Sequence, residues 1–332
     1  MTLDADRLHR DSLVWDAHSC MPLKPGIDLS ALSRHRAAGV DFVSINVGMD
    51  MNPWPDVVRV LAHYRAWIAD HGDEYVLAGS VADVLQAKET GKLAIAFDLE
   101  GAIPIDGDFA LLRLYRDLGV RQMHFIYNRN NAVGGGCHDE DIPLTAFGRS
   151  LVEEVNRLGI VVDCSHTGYR TSLDIMAHST KPVVFSHANP RAFRDHQRNI
   201  TDEQIRACAD TGGVVGINGI GLFLGGTDTE TVAACIDYVV QLVGPQHAGI
   251  GLDFMFNPEV DDSPPGLDKS YWWPESGGYG GNIGALKTVE PEQLPRLTER
   301  LLGLGYGEED VRNILGGNFL RVAMATWPRD GQ

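Results

Sequence analysis

Short apolar runs rich in β-branched residues alternate with segments of helical spacing along most of the chain. The runs at Leu13–Asp16, Phe42–Val47, Leu93–Phe97, Val120–Ile126, Ile160–Val162, Pro182–Phe185, Gly213–Ile217 and His247–Leu252 read as buried strands. Between them, Leu29–Ala38, Val57–Asp70, Val81–Glu89, Phe109–Leu118, Thr145–Leu158, Tyr169–His178, Asp202–Asp210 and Asp228–Val243 read as helices. Several end at a glycine, such as Gly39, Gly91 or Gly159, which can take the left-handed turn that stops a helix. Glu292–Leu302 and Glu308–Leu315 close the chain as helices. Eight strands alternating with helices predict an α/β fold, a (β/α)8 TIM barrel forming one domain over residues 1–332. Two stretches break the alternation. Residues 128–143, with Gly134-Gly135-Gly136, read as a surface loop beside the site. Residues 257–291 are rich in Pro and Gly and carry Tyr271-Trp272-Trp273-Pro274. They are too irregular for a barrel wall and read as a long loop over the mouth or at a subunit contact.

Composition narrows the class. The 332 residues are 44% hydrophobic, ample for a core, and carry 45 acidic against 28 basic side chains, a net charge of -17. Such a chain is a poor partner for nucleic acid or an anionic membrane. No run approaches a membrane span, and the polar starting residues and tail lack a signal-peptide or anchor pattern, so the cytoplasm is the expected location. The five cysteines are odd in number, scattered and without CxxC spacing, and do not form a disulfide framework.

The chemistry collects where the strands end. The fifth and sixth predicted strands each run into the same dipeptide, Ser165-His166 and Ser186-His187. In a parallel barrel that edge carries the ligand site. His18 and Cys20 follow the first strand, Asp98 and Glu100 the third, Tyr127 the fourth and Asp253 the eighth. A lone His is commonly a structural residue, a lone Cys a small buried hydrophobe and a lone Glu an ion-pair partner. Five ligand-type residues at one mouth, His18, Cys20, Glu100, His166 and His187, point instead to metal. His18 and Cys20 lie two apart, so in extended chain they face one side and can chelate one ion. Glu100 can bridge, and His166 and His187 can hold a second ion. Two ions sharing a water would activate it near neutral pH, with Asp253 moving its proton to a leaving amine. Asp98 and Asp163 read as partners that orient a ligand, and His124, inside its strand, as structural.

These residues resemble the membrane dipeptidase (renal dipeptidase) family of zinc metallopeptidases, within the amidohydrolase-like superfamily. The likeness runs over nearly the whole chain. It is carried by Phe147-Gly148 through Val162-Asp163-Cys164-Ser165-His166, by Pro182-Val183-Val184-Phe185-Ser186-His187, by Arg198-Asn199, by Gly249 through Phe254, and by Ile314 through Val322. The resemblance implies two zinc ions bridged by Glu100. It implies that Arg198 receives a substrate carboxylate, that Asp253 shuttles the proton, and that the protein is a homodimer cleaving dipeptides, often with a D-residue at the C-terminal position. Two positions depart from the family pattern. His-x-Asp becomes His18-Ser19-Cys20, which can change the preferred ion or leave a one-metal form. The family's His after the fourth strand becomes Tyr127, either an oxyanion donor that also touches substrate or an aromatic pocket wall. The expected function is metal-dependent dipeptide hydrolysis. The alternatives are a hydrolase of another amide, such as an N-acyl amino acid or lactam, and a non-catalytic barrel that binds a small molecule.

Overall fold

The computed structural model describes residues 3–281 and 283–328; the chain ends whose polarity was read above, residues 1–2 and 329–332, lie outside the described residues. The strands are β1 (Trp15–Cys20), β2 (Phe42–Met49), β3 (Tyr75–Leu77), β4 (Leu93–Glu100), β5 (Val120–His124), β6 (Val161–Asp163), β7 (Val183–Val184), β8 (Val215–Asn218), β9 (Ala248–Gly251) and β10 (Phe254–Met255). The main sheet runs β10-β1-β2-β4-β5-β6-β7, and β8 pairs with β9; every pairing is parallel. A parallel bridge from Phe185 to Val215 carries β7 onto β8, and the chain passes directly from β9 into β10. The ring of eight strand positions thus closes as a TIM barrel of the amidohydrolase type.

All eight expected strands form, within a residue or two at most ends. β3 is additional and sits outside the ring, paired to β4. The expected helix Leu29–Ala38 is a 3-10 turn at Ser30–Leu32 followed by a short helix at Ser33–Ala37. Glu308–Leu315 likewise divides, into a helix to Arg312 and a π-turn over Asn313–Gly317. Helices at Leu3–Asp11 and Asn318–Thr326 went unread. The second packs Phe319 and Val322 with Trp15, Phe42 and Val161 at the beginnings of the strands, and so covers the barrel end away from the site. The main core lies between the outer strand faces and the helices, where Val43, Ile45, Leu61, Tyr64, Phe97 and Tyr115 are buried.

The barrel closes on two devices. Buried Asp16 accepts from the Leu252 amide (2.8 Å) and the Ser19 hydroxyl (2.6 Å), and its carboxylate meets His35 Nε2 at 2.9 Å. One carboxylate thereby ties β1 to the junction of β9 and β10. The second device is the absence of side chain at Gly216 and Gly251. A Cβ there would lie 2.0 and 1.8 Å from the Ser186 carbonyl oxygen, so only glycine lets β8 and β9 approach the end of β7. Gly251→Ala is expected to destabilise the fold by roughly 3 kcal/mol, since the blocking atom is backbone and overpacking of this kind costs about 1–3 kcal/mol or more. Denaturant unfolding measures it, and an unchanged midpoint would show that the barrel closes without this contact.

Candidate metal centre

Each strand in the barrel wall sends alternate side chains inward, and the polar ones meet at one level. Glu100 ends β4 and is 1% exposed. Around its Oε1 stand His166 Nε2 at 3.1 Å, His187 Nε2 at 3.4 Å, His18 Nε2 at 3.5 Å and His124 Nδ1 at 3.5 Å. The two Nε2 atoms of His166 and His187 are 3.0 Å apart. Cys20 Sγ lies 3.4 Å from His18 Nε2 and 3.8 Å from Asp253 Oδ1, and that oxygen is 3.6 Å from His18 Nε2. The structure therefore gathers His18, Cys20, Glu100, His166, His187 and Asp253 in one cluster. His124 lies beside them, its Nδ1 3.5 Å from Glu100 Oε1; β5 alternates like β1, so Gln122 and His124 share the inward face.

A set of partners behind the cluster turns each ring. His18 Nδ1 donates to Asp98 Oδ1 (3.1 Å), itself held by the Ser44 hydroxyl (2.6 Å). His166 Nδ1 donates to Asn128 Oδ1 (2.7 Å), His187 Nδ1 meets Ser186 Oγ (2.7 Å), and His124 Nε2 faces Asp163 Oδ2 at 2.5 Å. The Nε2 atoms of His18 and His166 are thereby turned toward Glu100. Glu100 Oε1 itself, fully buried, has no hydrogen-bond donor among the described residues. A buried acceptor oxygen left without a donor is costly unless a cation joins it. The donor set, imidazoles with a carboxylate and a thiol, is the one borderline-soft divalent ions take. The residues therefore fit the metal that the sequence implies.

The titration tendencies agree. Burial, reinforced by neighbouring positive groups, holds His166 and His187 well below the ordinary imidazole range, so both are neutral. Burial raises the Glu100 carboxyl to about 7 and pushes the Cys20 thiol up. Burial alone would lower His18 too, but Asp98, Cys20 and Glu100 outweigh it and hold that imidazole well above its usual range. A cation in the centre would favour the carboxylate and the neutral rings together.

Backbone strain marks the same place. His166 (φ +67°), Asp253 (φ +52°) and Asn128 (φ +60°) are non-glycine residues in the left-handed region. The Gly-rich stretch helps to hold the turn at His166: Cys137 N donates to the His166 carbonyl (3.0 Å) and Gly168 N to the Gly135 carbonyl (2.7 Å). Gly134 to Gly136 are buried there, so the middle of 128–143 is packed rather than a surface loop. Buried Asp50 supports the neighbouring turn, accepting from the amides of Ile103 and Tyr127 (both 2.9 Å) and from Asn131 Nδ2 (3.0 Å); burial raises its pKa to about 6 despite those donors.

The cluster opens on a cavity of about 380 Å³. Cys20, Glu100, His166 and Asp253 face it, while Met21, Met49, Met51, Ile220, Trp273 and Leu286 form an apolar wall. Segment 257–291 supplies part of that wall, with Trp273 lining the cavity. Its Nε1 donates to Tyr127 Oη (2.9 Å), and the Tyr127 ring lies 4.5 Å from that of His166. Burial raises the Tyr127 pKa far above normal, keeping the phenol protonated. Arg198 is placed differently. It is 2% exposed and donates from Nη2 to the His187 carbonyl (3.0 Å), and its Nε has no partner among the described residues. It does not line the cavity; Phe223, whose ring centre is 6.0 Å from its guanidinium, does.

Residues 4–269 match the family described as membrane dipeptidase (peptidase family M19). The chain belongs to the membrane dipeptidase family. It is thus a hydrolase of the dipeptidase group, with a His/Glu cluster able to bind metal at the family's barrel mouth. An uncharacterised protein of the pqqA 5′ region of Klebsiella pneumoniae is 31% identical over 281 residues, covering 80% of this chain and 94% of that one. An amidohydrolase from Pseudomonas aeruginosa shares the structure with a TM-score of 0.86 at 30% identity, over 97% of this chain and 99% of that chain. A metallopeptidase of Rhodobacter sphaeroides, solved with a phosphinate mimic of L-Ala-D-Ala, has the same fold (TM-score 0.76, 22% identity, 96% of this chain and 100% of that chain). No helix among the described residues is long and apolar enough to cross a membrane.

Asp50→Ala leaves three buried donors unanswered and is expected to cost roughly 2–4 kcal/mol while loosening the turn that carries Tyr127. Unfolding midpoints report the first effect; a variant as stable as the parent would refute the support role.

Proposed function

We propose that this protein is a zinc-dependent dipeptidase. The observation that carries the reading is the Glu100 oxygen, without a hydrogen-bond donor among the described residues, ringed by imidazoles and set beside Asp253 at the floor of the cavity. His18, Cys20, Glu100, His166 and His187 hold the metal. Bound there, it supplies Lewis acidity and a water acidic enough to attack at neutral pH. The chain's own groups do the rest. Asn218 Nδ2 fixes Asp253 Oδ2 at 2.8 Å and leaves Oδ1 toward the cluster, where it accepts the proton of the attacking water and returns it to the departing nitrogen. Tyr127 accepts from Trp273, so its own proton is free to donate to the oxygen that becomes negative. Arg198, with no carboxylate partner among the described residues, receives the C-terminal carboxylate once Phe223 turns aside. The methionine-rich wall takes a bulky apolar side chain on the acyl side, because unbranched thioethers adapt to varied shapes. The leaving residue is of either hand in this scheme; the L-Ala-D-Ala mimic bound by the Rhodobacter sphaeroides enzyme supports including the D-form.

A second reading has its own support. Met21, Met49, Met51 and Ile220 on the cavity wall would equally take the acyl group of an N-acylated amino acid or other blocked amide.

Two measurements test these readings. Asp253→Asn keeps a residue that tolerates the left-handed backbone but removes the base; turnover is expected to fall about 10²–10⁴-fold with metal content unchanged. Full activity of that variant would sink the proton-transfer role. On zinc-reconstituted protein, a panel of L-L and L-D dipeptides should be cleaved, with Leu, Met or Phe on the acyl side favoured over Ala by roughly tenfold or more in kcat/KM. Cleavage of blocked amides alone would select the second reading, and inertness to all would overturn both.

A further inference from the structure

An amide substrate has two ends, and the mouth of the barrel is built differently for each. Four of the chain's eight methionines, Met21, Met49, Met51 and Met255, line the cavity. Met255 lies in β10, Met21 follows β1, and Met49 ends β2 with Met51 just beyond it. These three strands are neighbours in the sheet, so the methionines occupy one arc of the mouth. Unbranched thioethers fit many shapes. The other arc is aromatic. Tyr127 follows β5 and Phe223 follows β8, and the insertion adds Trp273 and Tyr279; with Ile220 they form one buried group. The arcs meet where Met49 and Met51 pack against that group.

Hydrogen bonds pin the aromatic arc. Tyr279 Oη donates to His138 Nε2 (2.7 Å), and His138 Nδ1 donates to Gln197 Oε1 (3.0 Å). His196 Nε2 donates to the Gly277 carbonyl (2.8 Å) while its Nδ1 accepts from the Arg198 amide (3.0 Å). Burial lowers the pKa of both imidazoles, that of His138 to about 4, so each keeps one donor and one acceptor nitrogen near neutral pH. A Cβ at Gly277 would lie 2.7 Å from the Tyr279 ring, so the ring is also closely packed. Tyr279 meets Phe223 edge to face, ring centres 5.8 Å apart; both line the cavity, and Arg198 stands behind Phe223. The Phe223 ring has no hydrogen bond to hold it and can swing, whereas Tyr279 is tied. We propose that Tyr279 is a specificity-determining residue: pinned by His138, it limits the leaving residue to a small side chain, glycine or alanine, while the methionine arc accepts apolar acyl groups of many shapes. This rests on Arg198 receiving the C-terminal carboxylate, which draws the leaving residue under the aromatic arc, and it deepens that reading by naming both ends of the substrate. A free dipeptide and an N-acylated amino acid both release an amino acid, so the limit applies to either.

Paired substrates on zinc-reconstituted full chain decide it. The series is L-Leu-X and N-hexanoyl-X, with X as Gly, Ala, Leu or Phe. In the parent, kcat/KM for Gly and Ala should exceed that for Leu and Phe by about 10–200-fold, the discrimination a close pocket exerts against added carbon atoms. Changing the acyl residue among Leu, Met and Phe at fixed X should move it only a few-fold. Tyr279→Ala should lower the small-to-large ratio by about tenfold or more. A ratio of two substrates on one preparation does not depend on the fraction folded. Should Tyr279→Ala yield no folded protein, Tyr279→Leu, which keeps apolar packing but not the tie to His138, should lower the ratio by a smaller step. Met255→Ala, on the methionine arc, should shift the acyl preference and keep the parent's ratio for X. Equal cleavage of small and large X by the parent, a ratio unmoved in the Tyr279 variant, or a ratio moved as far by Met255→Ala would overturn the filter and leave the hydrolase reading standing. Inertness of the parent toward both series would overturn the two together.

Discussion

One carboxylate oxygen sets the terms for the rest of this molecule. Glu100 Oε1 is buried at the barrel centre without a donor among the described residues, within 3.5 Å of four imidazole nitrogens. Desolvating a carboxylate costs several kcal/mol. Such an arrangement persists only if the walls hold it and a cation is to complete it. The walls are visible in the fold. The rings come from β1, β5 and the turns after β6 and β7, four separate strand positions that only a closed barrel brings to one point.

The supports form a second circle. Asp98, Asn128, Ser186 and Asp163 each fix one ring, and Asn218 fixes Asp253. His166, Asp253 and Asn128 hold left-handed backbone conformations that cost of order 1–3 kcal/mol each, and the packed Gly134–Gly136 segment shares in holding the His166 turn. The stability invested there keeps side chains aimed inward that regular strands would turn elsewhere.

The insertion completes the pocket and explains one departure from the family pattern. Tyr127 accepts from Trp273, Asn128 Nδ2 donates to the Trp272 carbonyl at 3.0 Å, and Tyr279 Oη lies 2.7 Å from His138 Nε2. The tyrosine is thus the hinge between the metal cluster and an irregular wall. Cys20 stands on the same side, its Sγ 3.8 Å from Asp253 Oδ1 and 3.4 Å from His18 Nε2.

The alternation of β-branched runs with helical spacing was enough to specify eight strands and the barrel, because period-two and period-3.6 burial are local properties of the chain. The motif spacing was enough to nominate His18, Cys20, Glu100, His166, His187 and Asp253, since each follows a strand whose end must face the mouth. What the chain by itself could not determine was depth and direction. The position of His124 inside a strand says nothing of which atoms stand opposite it. The depth of Arg198 is likewise set by tertiary packing, which puts it beside Phe223 and off the cavity. The fate of residues 128–143 and 257–291 was likewise settled by contacts between segments far apart in sequence, since stretches without a burial period have their conformation set by what they pack against.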